Sequence, residues 1–231
     1  DASKIDILGF GSYGNVINNV MMERLAAPNG PTKGKIVRPS DGAPAKRVAF
    51  VQCAGSRDVN HLPYCSAICC LSSLKEAAYI REQYPDSQVY IFYIDIRATG
   101  AYEDFFQRME EDEGIHFIKG KVAKIEDGAE SGDLAVEADE MLAGSKVRVN
   151  VDLVVLATGM VPNTAGERIS GLDLEHDEFG FALESRKTGV HIAGVARRPM
   201  DVATTVRDGT GAALKAAQSS ASDRTRVAAG R

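Results

Sequence analysis

The chain has 231 residues, enough for one large or two modest domains whose cores need no disulfides. Its net charge of −5 provides no basic field to attract nucleic acid. No apolar run reaches the roughly 18 to 20 residues of a membrane span. Lacking both a signal-like N-terminus and an initiator Met, the sequence predicts a fragment of a longer, cytoplasmic protein in a reducing compartment.

Residues 1–46 are predicted to be a connector that forms part of a larger domain. Gly9, Gly11 and Gly14 match the G-x-G-x-x-G dinucleotide fingerprint. That fingerprint also needs an acidic residue roughly 20 positions later, and the segment PTKGKIVRP provides none. We therefore interpret these glycines as a turn before a helix.

Residues 47–152 are predicted to form an α/β domain. RVAFVQCAG reads as a buried strand, followed by a loop and a helix over about residues 66–84. SQVYIFYIDI predicts a second strand and AYEDFFQRMEEDEG a second helix. Three closing strands follow, in IHFIKGKVAKIED, DLAVEAD and KVRVNV. The order strand, helix, strand predicts a parallel sheet with right-handed crossovers.

Residues 153–231 are predicted to be the returning part of the domain that residues 1–46 belong to. VDLVVLATG reads as a strand ending in a turn of small residues. GVHIAGVA predicts another strand, DVATTVRDGTGAALKAAQ a helix, and SSASDRTRVAAGR a polar, frayed terminus.

All four cysteines lie within 18 positions, at Cys53, Cys65, Cys69 and Cys70. Four thiolates bind either a [4Fe–4S] cluster or a structural zinc ion. Zinc ribbons usually pair two C-x2-4-C knuckles far apart in sequence, so this grouping favours a larger ligand with spread-out corners. Zinc, disulfides and free buried thiols remain open alternatives, and His61 could replace one cysteine as a ligand.

Helix geometry restricts how the four sulfur atoms can meet. Cys69 and Cys70 diverge by about 100° on a regular helix, so convergence requires the helix to begin around Cys69, with Cys65 in the loop. The ligand would then lie at the helix N-terminus, where the dipole favours negative charge. Arg57 and Lys75 could add positive charge. The helix face predicted to pack on the sheet consists of Ala67, Leu71, Leu74 and Ala78.

The chain resembles the iron–sulfur flavoproteins that form the A-subunit family of heterodisulfide reductase. The resemblance lies in VQCAGSRD, YCSAICC and LKEA, and in GPTKGKIVRPSDG, VVLATGMVPN and GVHIAGVARRPMDVATTV. Within that family it looks most like subunits of the quinone-interacting membrane-bound oxidoreductase complex of sulfate respiration. The implied fold is α/β and like thioredoxin reductase, an FAD domain interrupted by a pyridine-nucleotide-like domain, here represented by its C-terminal portion.

The resemblance also implies two cofactors. A [4Fe–4S] cluster would bind to the four cysteines, close to FAD. Thr158 and Gly159 would form the turn by which the chain returns to the FAD domain. The residues implied to lie along the flavin are Gly194, Asp201, Val202, Thr204 and Thr205. Val195 stands where many flavoproteins have an acidic residue that holds the ribityl chain, and the strand that should open the FAD domain is missing.

The function implied by the resemblance is electron transfer between FAD and the cluster. The chain would be an oxidoreductase subunit of a multi-subunit complex of anaerobic sulfur metabolism, reaching a quinone or sulfur-metabolism carriers through its partners. No acid–base catalytic residue is predicted. Two other functions remain open: a non-catalytic docking module with a zinc or empty cysteine site, and a dithiol/disulfide oxidoreductase that uses an adjacent or C-x3-C pair.

Overall fold

The computed structural model describes residues 8–130, 132–167, 169–184 and 189–229, with side chains up to residue 221. The strands are β1 (Val16–Asn18), β2 (Arg47–Ala54), β3 (Gln88–Tyr93), β4 (Ile115–Asp127), β5 (Leu134–Glu140), β6 (Ser145–Val151) and β7 (Leu153–Thr158). The helices are α1 (Asn19–Ala26), α2 (Cys69–Gln83), α3 (Glu103–Glu110) and α4 (Val202–Ala229).

The chain divides into two compact units. The first contains residues up to Cys65 and Cys69–Gly159, and the second contains Ser66–Ile68 and the residues from Met160 onward. This grouping places β1, α1 and β7 with the segment β2–β6, although the sequence suggested boundaries after residues 46 and 152. The short strand β1 lies at the edge of the sheet and pairs with β7.

The first unit is built on one seven-stranded sheet of order β1-β7-β2-β3-β4-β5-β6. The pairs β1-β7, β7-β2, β2-β3 and β3-β4 run parallel. The pairs β4-β5 and β5-β6 run antiparallel. Strand β4 serves both arrangements, because its residues 115–119 pair with β3 and its residues 120–127 pair with β5. The predicted parallel sheet and its three closing strands are confirmed.

Buried side chains fill both faces of this sheet, as expected of parallel strands. Successive residues of β2 alternate between two clusters. Ala49 and Val51 belong to a core shared with β5 and β6, whereas Val48 and Phe50 pack with side chains of α1, α2 and α3. The C-terminal end of β2 is therefore held on one side by strands and on the other by helices.

The glycine-rich segment forms a turn, as predicted. Gly9 and Gly11 have φ values of 70° and 86°, which glycine adopts without strain. The amide of Tyr13 donates to the Gly9 carbonyl over 3.0 Å. A dinucleotide fingerprint would lead directly into a helix, but here strand β1 comes first and α1 follows at Asn19.

Two predictions for the second unit are wrong. GVHIAGVA is not a strand: residues 194–196 form a short 3-10 turn, and Gly194 has a φ of 63°. No described strand lies in this unit to pair with it. The terminus predicted to be frayed is helical through Ala229, because Val202–Ala229 contains no proline to interrupt it. Although α4 has 28 residues, no described helix has the apolar content needed to cross a membrane.

Candidate functional site

The four cysteines lie at the carboxyl edge of the parallel strands in the first unit. Cys53 is the penultimate residue of β2, where a register shift against β7 falls between Val51 and Ala54. Its φ of 56° turns the backbone out of the regular strand. This edge of an open α/β sheet is where ligands usually bind.

The loop after β2 folds back on itself and returns the chain toward Cys53. The amide of Leu62 donates to the Gly55 carbonyl, and the amide of Arg57 donates to the Tyr64 carbonyl, both over 3.1 Å. Arg57 also has a positive φ, of 54°, which is strained for a residue with a side chain. Because these bonds close the loop, Cys65 is brought back beside the end of β2.

Helix α2 begins at Cys69, and Cys65 lies in the loop. The late start predicted from helix geometry is therefore confirmed, and the broader estimate of a helix from residue 66 was three residues too early. The Cys69 Sγ lies 3.4 Å from the Thr158 carbonyl at the end of β7. The Cys70 Sγ lies 3.8 Å from the Asp95 carbonyl, just beyond β3.

The buried face of α2 differs from the predicted one. Leu74 is fully buried as expected, but Leu71 and Ala78 are only half-buried. The other buried residues of α2 are Cys70, Ser73, Glu76, Ala77 and Ile80. Cys70 therefore points toward the sheet.

Burial and mutual repulsion both disfavour ionisation of the thiols at this edge of the sheet. Burial raises the pKa of Cys53, of Cys69 (to about 12) and of Cys70. The neighbouring thiols raise these pKa values further, and between them all six cysteine pairs interact. All four cysteines are free, so the predicted disulfide alternative is not what this structure contains.

The described side chains form no preassembled site for a single metal ion. Among the described residues, no three or more His, Cys, Asp or Glu side chains are arranged to hold one metal ion. A zinc ion would require such a shell, with all ligands on one small cation. His61 is turned to Asp58, with 3.5 Å between its Nδ1 and the Asp58 Oδ1.

Of the two cations predicted near the site, Arg57 is in place and Lys75 is not. Arg57 forms an ion pair with Asp95. Its positive charge offsets part of the rise that burial causes in the pKa of Cys53. The Lys75 Nζ lies 2.8 Å from the Glu23 Oε1 on α1. The guanidinium of Arg57 is therefore the nearby positive charge that favours a thiolate at Cys53.

The raised pKa of Cys69 leads to a prediction for its alkylation. With a pKa of about 12, its thiol should react with iodoacetamide far more slowly near neutral pH than an ordinary thiol of pKa about 8.5. Its rate should still be rising above about pH 9. Mass-spectrometric mapping of the metal-free chain over a pH series measures this directly, and a plateau near pH 9 would contradict it.

The residues predicted to lie along the flavin fall in both units. Thr158 and Gly159 lie in the first, with the Thr158 carbonyl facing Cys69, and the other five lie in the second. Gly194 packs closely on α4, where an added Cβ would be 2.8 Å from the Thr205 Cγ2. Its amide donates to the Asp208 Oδ2 over 2.8 Å. Val202 is 78% exposed.

Asp201 has a structural role that the sequence analysis missed. It precedes α4, and its Oδ1 accepts a 2.8 Å hydrogen bond from the Thr204 amide, as an N-cap does. This bond lowers the pKa of Asp201. The sequence contains a signal for this capping role, because an aspartate stands three residues before a threonine where a helix begins.

We expect Asp201→Ala to lower the free energy of unfolding by about 1 kcal/mol, because the first turn of α4 loses its cap. Asp201→Asn keeps an oxygen acceptor at the same place and should cost less. Urea denaturation of the two variants and the unaltered chain measures the difference. Equal losses for Ala and Asn would show that capping is not what Asp201 contributes.

Comparison with known proteins identifies homologues. No protein-family model matches the chain. It is 41% identical over 229 residues to an iron-sulfur A subunit of CoB–CoM heterodisulfide reductase from Methanopyrus kandleri. It is 40% identical over 225 residues to the corresponding iron-sulfur A subunit of Methanocaldococcus jannaschii. These alignments cover 94% and 92% of the chain, but 35% and 34% of the relatives.

The fold matches that of thioredoxin reductase from Lactococcus lactis, with a TM-score of 0.54 over 93% of this chain and 61% of that one. Sequence identity there is 18%, so the likeness concerns the fold alone. It confirms the predicted α/β architecture of the thioredoxin-reductase type. The chain is a homologue of the heterodisulfide reductase A subunits, spanning about one third of the length of the relatives it matches.

Proposed function

We propose that the chain is the electron-transfer part of a heterodisulfide-reductase-like oxidoreductase subunit, with a [4Fe–4S] cluster held by Cys53, Cys65, Cys69 and Cys70. The observation that carries this proposal is the placement of all four thiols at one edge of the sheet, with Cys53 at the end of β2, Cys65 in the loop, and Cys69 and Cys70 at the start of α2. A cubane distributes its thiolates over four separate iron atoms, so its ligands are spread more widely than those of a single ion. The relatives are themselves named iron-sulfur subunits.

The residues present fit such a group. The donor set is purely thiol, which suits iron–sulfur clusters. Cys69 and Cys70 open α2, whose N-terminal dipole favours the negative charge that four thiolates bring. Arg57 adds a cation at Cys53. Because ligation requires thiolates, and burial raises the pKa of three of these thiols, assembly should release protons and proceed more readily at alkaline pH.

The cluster, when bound, would accept and donate single electrons. The chain's own contribution is to hold the four sulfur atoms, to shield the buried Cys70 from water, and to set the local charge. We propose FAD as the exchange partner. The residues that we propose for its site are Thr158, Gly159, Gly194, Asp201, Val202, Thr204 and Thr205.

We further propose that the chain acts within a multi-subunit complex, as its relatives' names indicate for them. Such a complex would connect it to carriers of sulfur metabolism or to a quinone. The resemblance to the quinone-interacting membrane-bound oxidoreductase complex favours the quinone, and the work would be done on the cytoplasmic side.

The dithiol oxidoreductase is the weaker alternative. Such enzymes need a thiol with a depressed pKa, so that the thiolate can attack. Burial instead raises the pKa of Cys69 to about 12 and raises that of Cys70, the adjacent pair. The docking module with zinc is the other alternative, and metal analysis distinguishes it from the cluster.

Anaerobic reconstitution with iron and sulfide, followed by metal analysis, separates these functions. We expect close to four iron and four sulfide per chain, with broad absorbance around 400 nm, since a cubane has that composition. One zinc per chain without sulfide would support the docking module. No metal, together with reversible thiol oxidation, would support the dithiol enzyme.

A further inference from the structure

Gln52 is a buried amide whose hydrogen-bonding groups are unused. It is the uncharged polar residue within the apolar run of β2, RVAFVQCA, and is only 5% exposed. Neither its Nε2 nor its Oε1 has a hydrogen-bond partner among the described residues. Leaving a buried polar group unpaired destabilises the fold, so a buried amide of this kind indicates a missing partner.

Strand alternation indicates the direction of this side chain. Gln52 is on the same face of β2 as Val48 and Phe50, which pack in the cluster that contains Leu74 and Ala77 of α2. The register shift against β7 falls between Val51 and Ala54, and within that stretch Cys53, rather than Gln52, has the positive φ. The amide of Gln52 therefore lies between the sheet and α2.

Along the interface between the sheet and α2, Gln52 lies beside the first turn of α2, which contains Cys69 and Cys70. In a strand–helix–strand crossover the helix runs back antiparallel to its strand. Moving from Phe50 to Gln52, toward the carboxyl end of β2, therefore corresponds to moving from Leu74 to Cys70, one turn toward the start of α2. Cys70 belongs to the buried face of α2, which faces the sheet.

We propose that the Nε2–H of Gln52 donates a hydrogen bond to a sulfur atom of the bound cluster, with the Cys70 thiolate as its acceptor. This inference rests on the proposed iron–sulfur function. Gln52 is a positioning residue in this account: it does not transfer electrons, but it stabilises negative charge on sulfur. Since the reduced cluster carries one more negative charge than the oxidised one, the bond should raise the midpoint potential.

Gln52→Met tests this, because it keeps the approximate volume of the side chain and removes both polar groups. In the metal-free chain the unpaired amide lowers the free energy of unfolding. The variant should therefore be at least as resistant to urea as the unaltered chain. In the reconstituted chain we expect a lower midpoint potential and shifted Fe–S stretching bands in resonance Raman spectra. A purely structural glutamine would give the reverse, with lost stability and an unmoved potential.

Gln83→Met is the matched control on α2. Its amide is fully engaged, donating to the Gly34 carbonyl over 2.7 Å and accepting from the Ile36 amide over 3.0 Å. It should lose stability and keep the potential. An unchanged potential and Raman spectrum in Gln52→Met would overturn the inference alone. Failure of the unaltered chain to bind iron and sulfide would overturn the proposed function, and this inference with it.

Discussion

The free energy of unfolding of Glu76→Gln should stay nearly level between about pH 5 and about pH 8, whereas that of the unaltered chain should fall over the same range. Glu76 lies on α2 and has no solvent exposure. Burial raises the pKa of its carboxyl to about 9, against the lowering effect of a 2.7 Å hydrogen bond from the Asn19 Nδ2. The negative charge of Glu23 raises it further.

The direction follows from proton binding. The folded chain holds a proton on Glu76 up to about pH 9, and the unfolded chain releases it near the ordinary carboxyl value of about 4.3. Stability from this group is therefore complete below that ordinary value and declines as the pH rises toward 9. The slope is as much as about 1.4 kcal/mol per pH unit for one group. Glutamine keeps an oxygen for Asn19 but has no proton to lose.

Urea denaturation of the reduced, metal-free chain at several pH values measures this. Glu82→Gln is the matched control, since Glu82 is exposed on the same helix and its variant should keep the slope of the unaltered chain. Parallel pH profiles for Glu76→Gln and the unaltered chain would show that Glu76 is not a protonated, buried carboxyl.

Replacing any one of the four cysteines by serine should remove most of the iron bound after reconstitution. Altering a residue that merely supports a metal ligand typically costs 10- to 100-fold in affinity, and loss of a ligand should cost at least as much. The effect should be similar for Cys53, Cys65, Cys69 and Cys70, because all four thiols interact. Iron and sulfide analysis with the 400 nm absorbance provides the measurement.

Val59→Ser controls for the introduction of a hydroxyl into the same loop, because Val59 is 90% exposed there. It should bind iron like the unaltered chain. A serine variant that keeps its full iron content would remove that cysteine from the proposed ligand set, and His61 would be the next residue to replace.

Local features of the sequence predicted the part of the fold that local forces determine. The apolar runs at residues 48–51 and 89–92, rich in β-branched and aromatic side chains, specify buried parallel strands. The start of α2 at Cys69 followed from the angle between adjacent residues on a helix. By contrast, GVHIAGVA has strand-like residues but no described strand to pair with, and pairing decides whether a strand forms.

Features that depend on distant residues could not be predicted in this way. The membership of β1 in the sheet depends on β7, which lies more than 130 positions later. Burial of Glu76 depends on α1, which places Asn19 against it. Gln52 did carry a signal, a polar residue inside an apolar strand, but its lack of a partner is visible only once the fold surrounds it.

The central claim is that four thiols hold one cubane cluster, and Mössbauer spectroscopy of the chain reconstituted with ⁵⁷Fe under anaerobic conditions tests it most directly. The account predicts that nearly all of the iron belongs to a single diamagnetic [4Fe–4S]²⁺ species, which becomes paramagnetic on one-electron reduction. Iron present as mononuclear tetrathiolate sites, or as adventitious ferric iron without bound sulfide, would contradict it.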